Sequence, residues 1–368
     1  MKILHTSDWH LGRYLHEYSL IECQKYFLDW LIDFLKKDHH DVVIIAGDIY
    51  DRSIPHSEAV SLFSYFLHET IQLKETDFLI IAGNHDSCER LNFASELLEK
   101  NRIFITGDYR YAENPVCINK DGSNYDFYLV PFVSENAYSD SGEYSFKNII
   151  SGIEKNIRTN SKNILIGHAF VKGSSSTESE RIYVGGLAEI DKEQFSNFDY
   201  TAMGHLHHGQ KISDRAYYSG SPIKYSFSES DDDKHVISID MNDELKIKKV
   251  NVPQKIDMVR IRDKFDVILN SDKYNDIKNN FIEAELTDSV LISGPLGILK
   301  KKFPNILSVK QTYLSDTSID DDINVAVNDL KPAECFESFY CYVSTKKPEE
   351  SEMKLFEEIA SEVENEAD

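Results

Sequence analysis

The chain has 368 residues, a formal net charge of −23, 41% hydrophobic and 28% charged residues. This length allows one large domain or two to three smaller ones, and the composition is that of an ordinary globular protein. The sequence has no apolar run of about eighteen residues and no signal-peptide pattern, so it predicts no membrane span. Five scattered cysteines without a CxxC pair indicate reduced thiols. We therefore expect a cytoplasmic protein.

The acidic excess disfavours a protein that binds nucleic acid through a basic surface of its own. About a third of that excess lies in residues 349–368, which hold nine acidic residues and one lysine. Lysine and arginine are concentrated in residues 246–264 and 299–303. Each of these runs by itself is typical of a solvated surface.

Strands and helices are predicted to alternate over the first hundred residues. Apolar runs predict strands within 1–8, 41–48 and 77–86, and helical periodicity predicts helices within 19–39 and 57–73. The second and third strands are apolar throughout, which is typical of strands buried on both faces. This order implies parallel pairing, with the loops at the carboxyl ends of the strands gathered in one crevice.

The remainder of the chain is predicted to form a second sheet and a second, smaller domain. Short strands dominate from about residue 102, and residues 173–181 read as a loop. Three further strands with two helical stretches follow, and after an acidic linker come two amphipathic helices. We predict three regions: a catalytic domain at 1–255, a small domain at 256–315, and a linker with C-terminal helices at 316–368.

Polar residues follow five of the apolar strands at the point where each strand ends. Taken singly, each could cap a helix or form a turn. Because five such segments recur in one chain, we interpret them together as one metal site. In "GHLHH", side-chain alternation places His205 and His207 on one face and His208 on the other. The acidic, amide and histidine side chains in these segments are Asp8, His10, Asp48, Asp51, Asn84, His85, Asp86, His168, His205 and His207.

The order of the motifs DxH, GDxxD, GNHD, H and GHxH resembles that of the calcineurin-like metallophosphoesterase superfamily. "TSDWHLG", "GDIYDRS", "VGGL" and "YSGSPIKYSFSE" further resemble a subgroup of bacterial nuclease subunits that work with a coiled-coil ATPase. The resemblance covers nearly the whole chain. It implies an α/β fold: a sandwich of two mixed β-sheets flanked by helices, with a small α/β cap domain and C-terminal helices.

The resemblance also implies roles for individual residues. One divalent ion would be held by Asp8, His10, Asp48 and His207. The other would be held by Asp48, Asn84, His168 and His205, so that Asp48 bridges the pair. Imidazole, carboxylate and amide ligands without cysteine favour Mn²⁺. His85 would act on the scissile phosphate, with Asp51 as its orienting partner.

The function implied is that of a Mn²⁺-dependent DNA nuclease subunit acting in DNA repair, recombination and replication. It would be a 3′–5′ exonuclease on duplex ends and an endonuclease on single strands or hairpins. Its partner ATPase would dock on the C-terminal helices, the cap would position DNA, and two copies would pair through N-terminal helices such as 19–37.

Two alternatives remain at this point. "GDIYDR" also resembles the GDxxDRG motif of protein phosphatases, so a phosphatase or cyclic-nucleotide phosphodiesterase is one of them. Ser53 and the GNHD motif disfavour a protein phosphatase, which has glycine and GNHE at these positions. A non-enzymatic scaffold is the other alternative. It would require a missing ligand, and every ligand position is filled.

Overall fold

The computed structural model describes residues 1–133, 145–178, 180, 190–311, 336, 340, 347–348 and 351–356. Residues 1–310 form one compact unit and residues 311–368 a second. None of the helices in the described residues is long and apolar enough to cross a membrane.

The strands of the described residues make two six-stranded sheets, a three-stranded sheet and a short hairpin. In chain order they are β1 (Lys2–Thr6), β2 (Tyr14–Leu15), β3 (Tyr18–Ser19), β4 (Val42–Ala46), β5 (Asp77–Ile81), β6 (Ile103–Thr106), β7 (Val116–Lys120), β8 (Ser123–Val130), β9 (Lys162–His168), β10 (Tyr200–Gly204), β11 (Gln210–Lys211), β12 (Ala216–Tyr218), β13 (His235–Asp240), β14 (Lys246–Asn251), β15 (Met258–Asp263), β16 (Phe281–Leu286) and β17 (Ile306–Gln311).

The α-helices lie between these strands. They are α1 (Ile21–Lys37), α2 (Ser57–Thr70), α3 (Cys88–Leu91), α4 (Ser95–Glu99), α5 (Phe146–Asn156), α6 (Phe265–Asn270) and α7 (Pro295–Leu299). Residues 351–356 are also helical.

The first sheet has the order β14-β13-β1-β4-β5-β6, and its four strands β1, β4, β5 and β6 are parallel. Alternate residues of β4 face different layers. Val43 and Ile45 pack in a core with residues of α1 and α2. Val42 and Ile44 pack instead against the second sheet. Both faces of the strand are covered, which explains why its sequence is apolar throughout.

The second sheet has the order β11-β12-β10-β9-β8-β7, with β8, β9, β10 and β12 parallel. One face packs on the first sheet through residues such as Phe127 and Ile166. The other face packs on α5 through Leu165 and Ile153. The predicted sandwich of two mixed sheets flanked by helices is therefore confirmed.

Strands β15, β16 and β17 form the three-stranded sheet and fall within the predicted cap region 256–315. With α6 and α7 they enclose a separate small core that includes Ile268, Ile282 and Phe303. Phe281 at the start of β16 meets Tyr18 edge to face at a centroid distance of 4.8 Å.

Most of the predicted C-terminal helices lie outside the described residues. Within the second unit, the rings of Phe336 and Phe356 stack at a centroid distance of 4.2 Å. Tyr340 donates a hydrogen bond of 2.6 Å to Glu352.

Candidate metal centre

The carboxyl ends of the central strands of both sheets open onto one edge of the sandwich. Parallel strands deliver their following residues to the same edge, so the five motif segments meet there. The structure brings together all seven side chains predicted as metal ligands. They follow β1 (Asp8, His10), β4 (Asp48), β5 (Asn84) and β10 (His205, His207), or end β9 (His168).

One group of donors comes from Asp8, His10 and His207, all of which are buried. Their candidate ligand atoms lie within 4.8 Å of one another. The Nε2 atoms of His10 and His207 are 3.0 Å apart, although the two residues are 197 positions apart in the chain. Two ring nitrogens that face each other this closely offer a position for a shared cation.

A second group of donors surrounds the side-chain amide of Asn84. Its Oδ1 atom lies 3.0 Å from Nε2 of His168 and 3.0 Å from Nδ1 of His205. The other ring nitrogen of His168 lies 2.8 Å from the backbone carbonyl of Ala46, which fixes the ring orientation.

Asp48 lies between the two groups. Its Oδ2 atom is 3.5 Å from Nε2 of His10 and 3.5 Å from Nε2 of His168. Its Oδ1 atom accepts a 2.9 Å hydrogen bond from the backbone N–H of His85. One carboxylate thus faces both donor groups, which is the position that a bridging ligand needs.

The backbone is strained at several of these residues. Asp8, His10, Asp48 and His205 have φ values of 54°, 43°, 50° and 106°. A non-glycine residue in such a conformation costs on the order of 1–3 kcal/mol and persists only where its surroundings enforce it. Glycine relieves crowding nearby, since a Cβ on Gly83 would lie 2.1 Å from Oδ1 of Asp48.

Electrostatics separate the donors into charged and neutral groups. Burial opposes ionisation of Asp48, but His168 and His10 outweigh it and hold the pKa of this carboxyl well below its usual value. Burial likewise acts to lower the pKa of His168, but Asp48 raises it to about 9. Burial lowers the pKa of His205 to about 3 and that of His10 well below 6.5. The last two rings are therefore neutral, with a lone pair free to bind a metal.

These residues fit divalent cations. The set combines imidazole nitrogens, two carboxylates and an amide oxygen, which suits borderline and hard cations. The pKa of Asp8 is raised to about 6, first by burial and also by Asp48. A cation between these donors would offset the cost of burying two carboxylates side by side.

His85 and Asp51 lie beside the donors and are half-buried. The predicted orienting contact is present, but the atom differs from the usual carboxylate. Nδ1 of His85 lies 2.8 Å from the backbone carbonyl of Asp51. The Asp51 carboxylate instead lies 3.5 Å from Arg13 and 3.8 Å from Nδ1 of His10.

Several residues at the site were given no role by sequence reasoning. Asp86, the last residue of GNHD, accepts hydrogen bonds from the backbone N–H groups of Ile49, Tyr50 and Gly83 at 2.9–3.0 Å and ties two ligand loops together. Glu229, also given no role, closes the stretch "YSGSPIKYSFSE". Its position in a quoted motif was an available signal.

Glu180 also lies at the site, and no motif in the sequence indicated a role for it. It lies in the predicted loop 173–181, yet it is buried and accepts a hydrogen bond from the backbone N–H of His207. His208, which was placed on the opposite face from its neighbours, pairs with Asp232 at 2.9 Å.

Comparison with known proteins gives a family and a relative along the whole chain. Residues 1–209 match the family model described as calcineurin-like phosphoesterase, and this stretch contains all seven ligand candidates. The chain is 32% identical to the SbcD subunit of the nuclease SbcCD from Staphylococcus saprophyticus, over 98% of this chain and 97% of that protein.

Two solved structures are also similar. TT1561 of Thermus thermophilus has a TM-score of 0.41 and 12% identity, covering 68% of this chain and 99% of that chain. A dimetal phosphatase from Danio rerio has a TM-score of 0.42 and 9% identity, covering 69% and 97%. Because the family model spans more than half of the chain and the curated relative nearly all of it, the chain belongs to the calcineurin-like phosphoesterase family of metal-dependent hydrolases.

Proposed function

We propose that this protein is the nuclease subunit of an SbcCD-type complex and cleaves DNA phosphodiester bonds with two Mn²⁺ ions. It would degrade duplex ends in the 3′–5′ direction and cut single strands or hairpins internally. The observation that carries the proposal is the position of Asp48, whose Oδ2 lies 3.5 Å from ring nitrogens of both donor groups. Similarity along the whole chain to a protein named as a nuclease subunit supports the choice of substrate.

The proposal divides the donors into two ligand sets that share Asp48, and Asp8 also lies within 4.8 Å of the donor atoms of Asp48 and His168. Asp8, His10, Asp48 and His207 would hold one ion, and Asp48, Asn84, His168 and His205 the other. When bound, two such ions activate the attacking oxygen and stabilise charge on the leaving oxygen of a phosphodiester. The protein would hold the ligand side chains in fixed, buried positions. The strained backbone at Asp8 and Asp48 contributes to these positions.

His85 is the proposed catalytic residue. Its ring meets that of His10 edge to face at a centroid distance of 4.7 Å, so it lies at the border of the first donor group. The backbone carbonyl of Asp51 accepts a hydrogen bond from Nδ1 of His85, and this hydrogen bond orients the ring. As a cation, His85 would stabilise the phosphate charge and donate its Nε2 proton to the leaving oxygen.

The charge distribution supports a partner in DNA binding. On the three-stranded sheet, Arg260 and Lys310 pair with Glu283, and Arg262 pairs with Glu285. These three basic side chains therefore face acidic partners within the sheet. An SbcC-type ATPase subunit would supply the basic surface that a chain of net charge −23 lacks.

The regional division follows from this proposal. Residues 1–255 would be the nuclease domain, residues 256–315 the cap that positions DNA, and residues 316–368 the acidic linker and helices that dock on the ATPase. Two copies of this chain would pair in the full complex, and the complex would act in DNA repair, recombination and replication in the cytoplasm.

Degradation of a linear duplex in Mn²⁺ tests the proposal. The assay uses the chain alone and with SbcC plus ATP, beside a nitrophenyl phosphodiester. Asp48→Ala serves as the inactive variant and Asp214→Ala as the matched control, since Asp214 is exposed and contacts Lys211 only at the surface. We expect metal-dependent DNA degradation that only Asp48→Ala abolishes. Hydrolysis of the small diester without cleavage of DNA under either condition would favour a general phosphodiesterase.

A further inference from the structure

Lys234 is a buried cation beside the metal centre, in the connection between β12 and β13. Its ammonium group donates to Oε2 of Glu229 at 2.6 Å, to the backbone carbonyl of His207 at 2.9 Å and to Oγ of Ser221 at 3.0 Å. An ammonium group has three N–H donors, and here each has an acceptor. The side chain is therefore held in a single position.

Glu229, the partner of Lys234, is fully buried. Its Oε1 atom accepts hydrogen bonds from Oγ of Ser226 at 3.0 Å and from the backbone N–H of Tyr225 at 3.3 Å. The same oxygen lies 3.6 Å from Nδ1 of His207. The opposite ring nitrogen of His207 faces His10 at 3.0 Å.

A buried ion pair by itself adds little to the free energy of unfolding. The loss of hydration on burial offsets most of the attraction, and an apolar pair of similar volume often serves as well. Here both members contact His207: Lys234 contacts its backbone carbonyl, and Glu229 lies next to its ring. The ion pair therefore contacts both the backbone and the ring of His207.

We propose that Glu229 and Lys234 are positioning residues that set the metal affinity of His207. The carboxylate of Glu229 favours the proton on Nδ1, which leaves the lone pair of Nε2 facing the metal position. Lys234 fixes the carboxylate and the backbone at the same time. This inference rests on the proposed two-metal centre, and it names residues outside the stretch that matches the family model.

The test is calorimetric titration of Mn²⁺ into the full chain, with the double variant Glu229→Gln/Lys234→Met. Glu229→Gln keeps the side-chain length and Lys234→Met shortens it by one atom. The two substitutions remove both charges of the pair together, so neither member is left buried as an unpaired charge. Glu283→Gln/Lys310→Met is the matched control, because Glu283 is also buried and lies 3.0 Å from Lys310, but in the three-stranded sheet.

We expect the wild-type and control chains to bind two ions, and the double variant to bind one of the two about 10- to 100-fold more weakly. Excess Mn²⁺ should restore its turnover, which a general loss of structure would not allow. Two ions bound with wild-type affinity would overturn the inference. A wild-type chain that binds no Mn²⁺ would overturn the metal centre and this inference with it.

If the double variant does not fold, the same titration of Mn²⁺ is made with Glu229→Asp. This substitution keeps a negative charge to offset that of Lys234 but shortens the side chain by one methylene group, which withdraws the carboxylate from His207. Weaker binding of one ion would support the inference, and unchanged binding of both would overturn it.

Discussion

Oδ2 of Asp48 lies 3.5 Å from Nε2 of His168, and this contact joins the ends of two different sheets. Asp48 follows β4 of the first sheet and His168 ends β9 of the second. The charge of Asp48 raises the pKa of His168 to about 9 against the opposing effect of burial. Asp48 and His168 therefore form a buried ion pair that links the two sheets.

Replacing Asp48 with Asn should remove the stabilisation that Mn²⁺ gives to the folded chain. At a concentration of Mn²⁺ one hundred times its dissociation constant, we expect the free energy of unfolding of the wild type to rise by about 2.7 kcal/mol per ion. Urea unfolding with and without Mn²⁺ measures this difference. Asp214→Asn, at an exposed site, should keep the full effect. Equal stabilisation of Asp48→Asn would remove Asp48 from the ligand set.

His85→Gln should separate metal binding from catalysis. The substitution leaves the seven ligand candidates in place, so we expect unchanged Mn²⁺ and DNA binding. Cleavage should fall by about 10²- to 10⁴-fold, the usual contribution of a positioned acid or base. Calorimetry and a DNA cleavage assay measure the two effects. His208→Gln is the control, because His208 pairs with Asp232 away from the donors. Loss of one bound ion in His85→Gln would make His85 a ligand.

Gly83→Ala should distort the metal centre, because the added Cβ would lie 2.1 Å from Oδ1 of Asp48 and 2.3 Å from its backbone nitrogen. We expect a loss of about 1–3 kcal/mol in the free energy of unfolding, the usual cost of overpacking, together with weaker Mn²⁺ binding. Gly297→Ala is the matched control, since nothing lies within 4 Å of the added Cβ in helix α7. It should be neutral or slightly stabilising. Wild-type metal affinity in Gly83→Ala would contradict the close packing described here.

His5 should make the stability of the metal-free protein depend on pH. Burial lowers the pKa of His5 to about 3, and Nδ1 lies 3.1 Å from the hydroxyl of Tyr200. Above pH 6.5 the ring is neutral in both the folded and the unfolded chain. Below this pH the unfolded chain gains a proton and the folded chain does not, so the free energy of unfolding falls as pH falls toward 3.

Protonation of His5 in the unfolded chain lowers the free energy of unfolding by about 2 kcal/mol between about pH 6.5 and about pH 5. Urea unfolding in EDTA measures it in the wild type and in His5→Gln, which keeps polar atoms near Tyr200 but does not titrate. The variant should show a shallower dependence by about that amount. Parallel curves would mean that His5 gains a proton in the folded state.

Local patterns in the sequence determined the elements and the candidate residues. The continuous apolar runs at β4 and β5 predicted strands covered on both faces, and the structure has them between the helices and the second sheet. The polar residues after these strands, such as Asp48 and Asn84, were recognisable because parallel strands bring their carboxyl ends to one edge. His207 and His208 follow the end of β10 at Gly204 and lie outside any strand, so the alternation expected for an extended segment stays a prediction.

Only the tertiary structure decided which side chains meet and through which atoms. The 3.0 Å approach of His10 and His207 joins residues from two sheets, and no local pattern encodes such a distance. Nδ1 of His85 contacts Asp51 at its backbone carbonyl, and this contact depends on how the loop turns and not on residue type. Glu229 and Lys234 were given no role from the sequence, although Glu229 closes the stretch "YSGSPIKYSFSE". They become buried partners of His207 because the connection between β12 and β13 folds back over the metal centre.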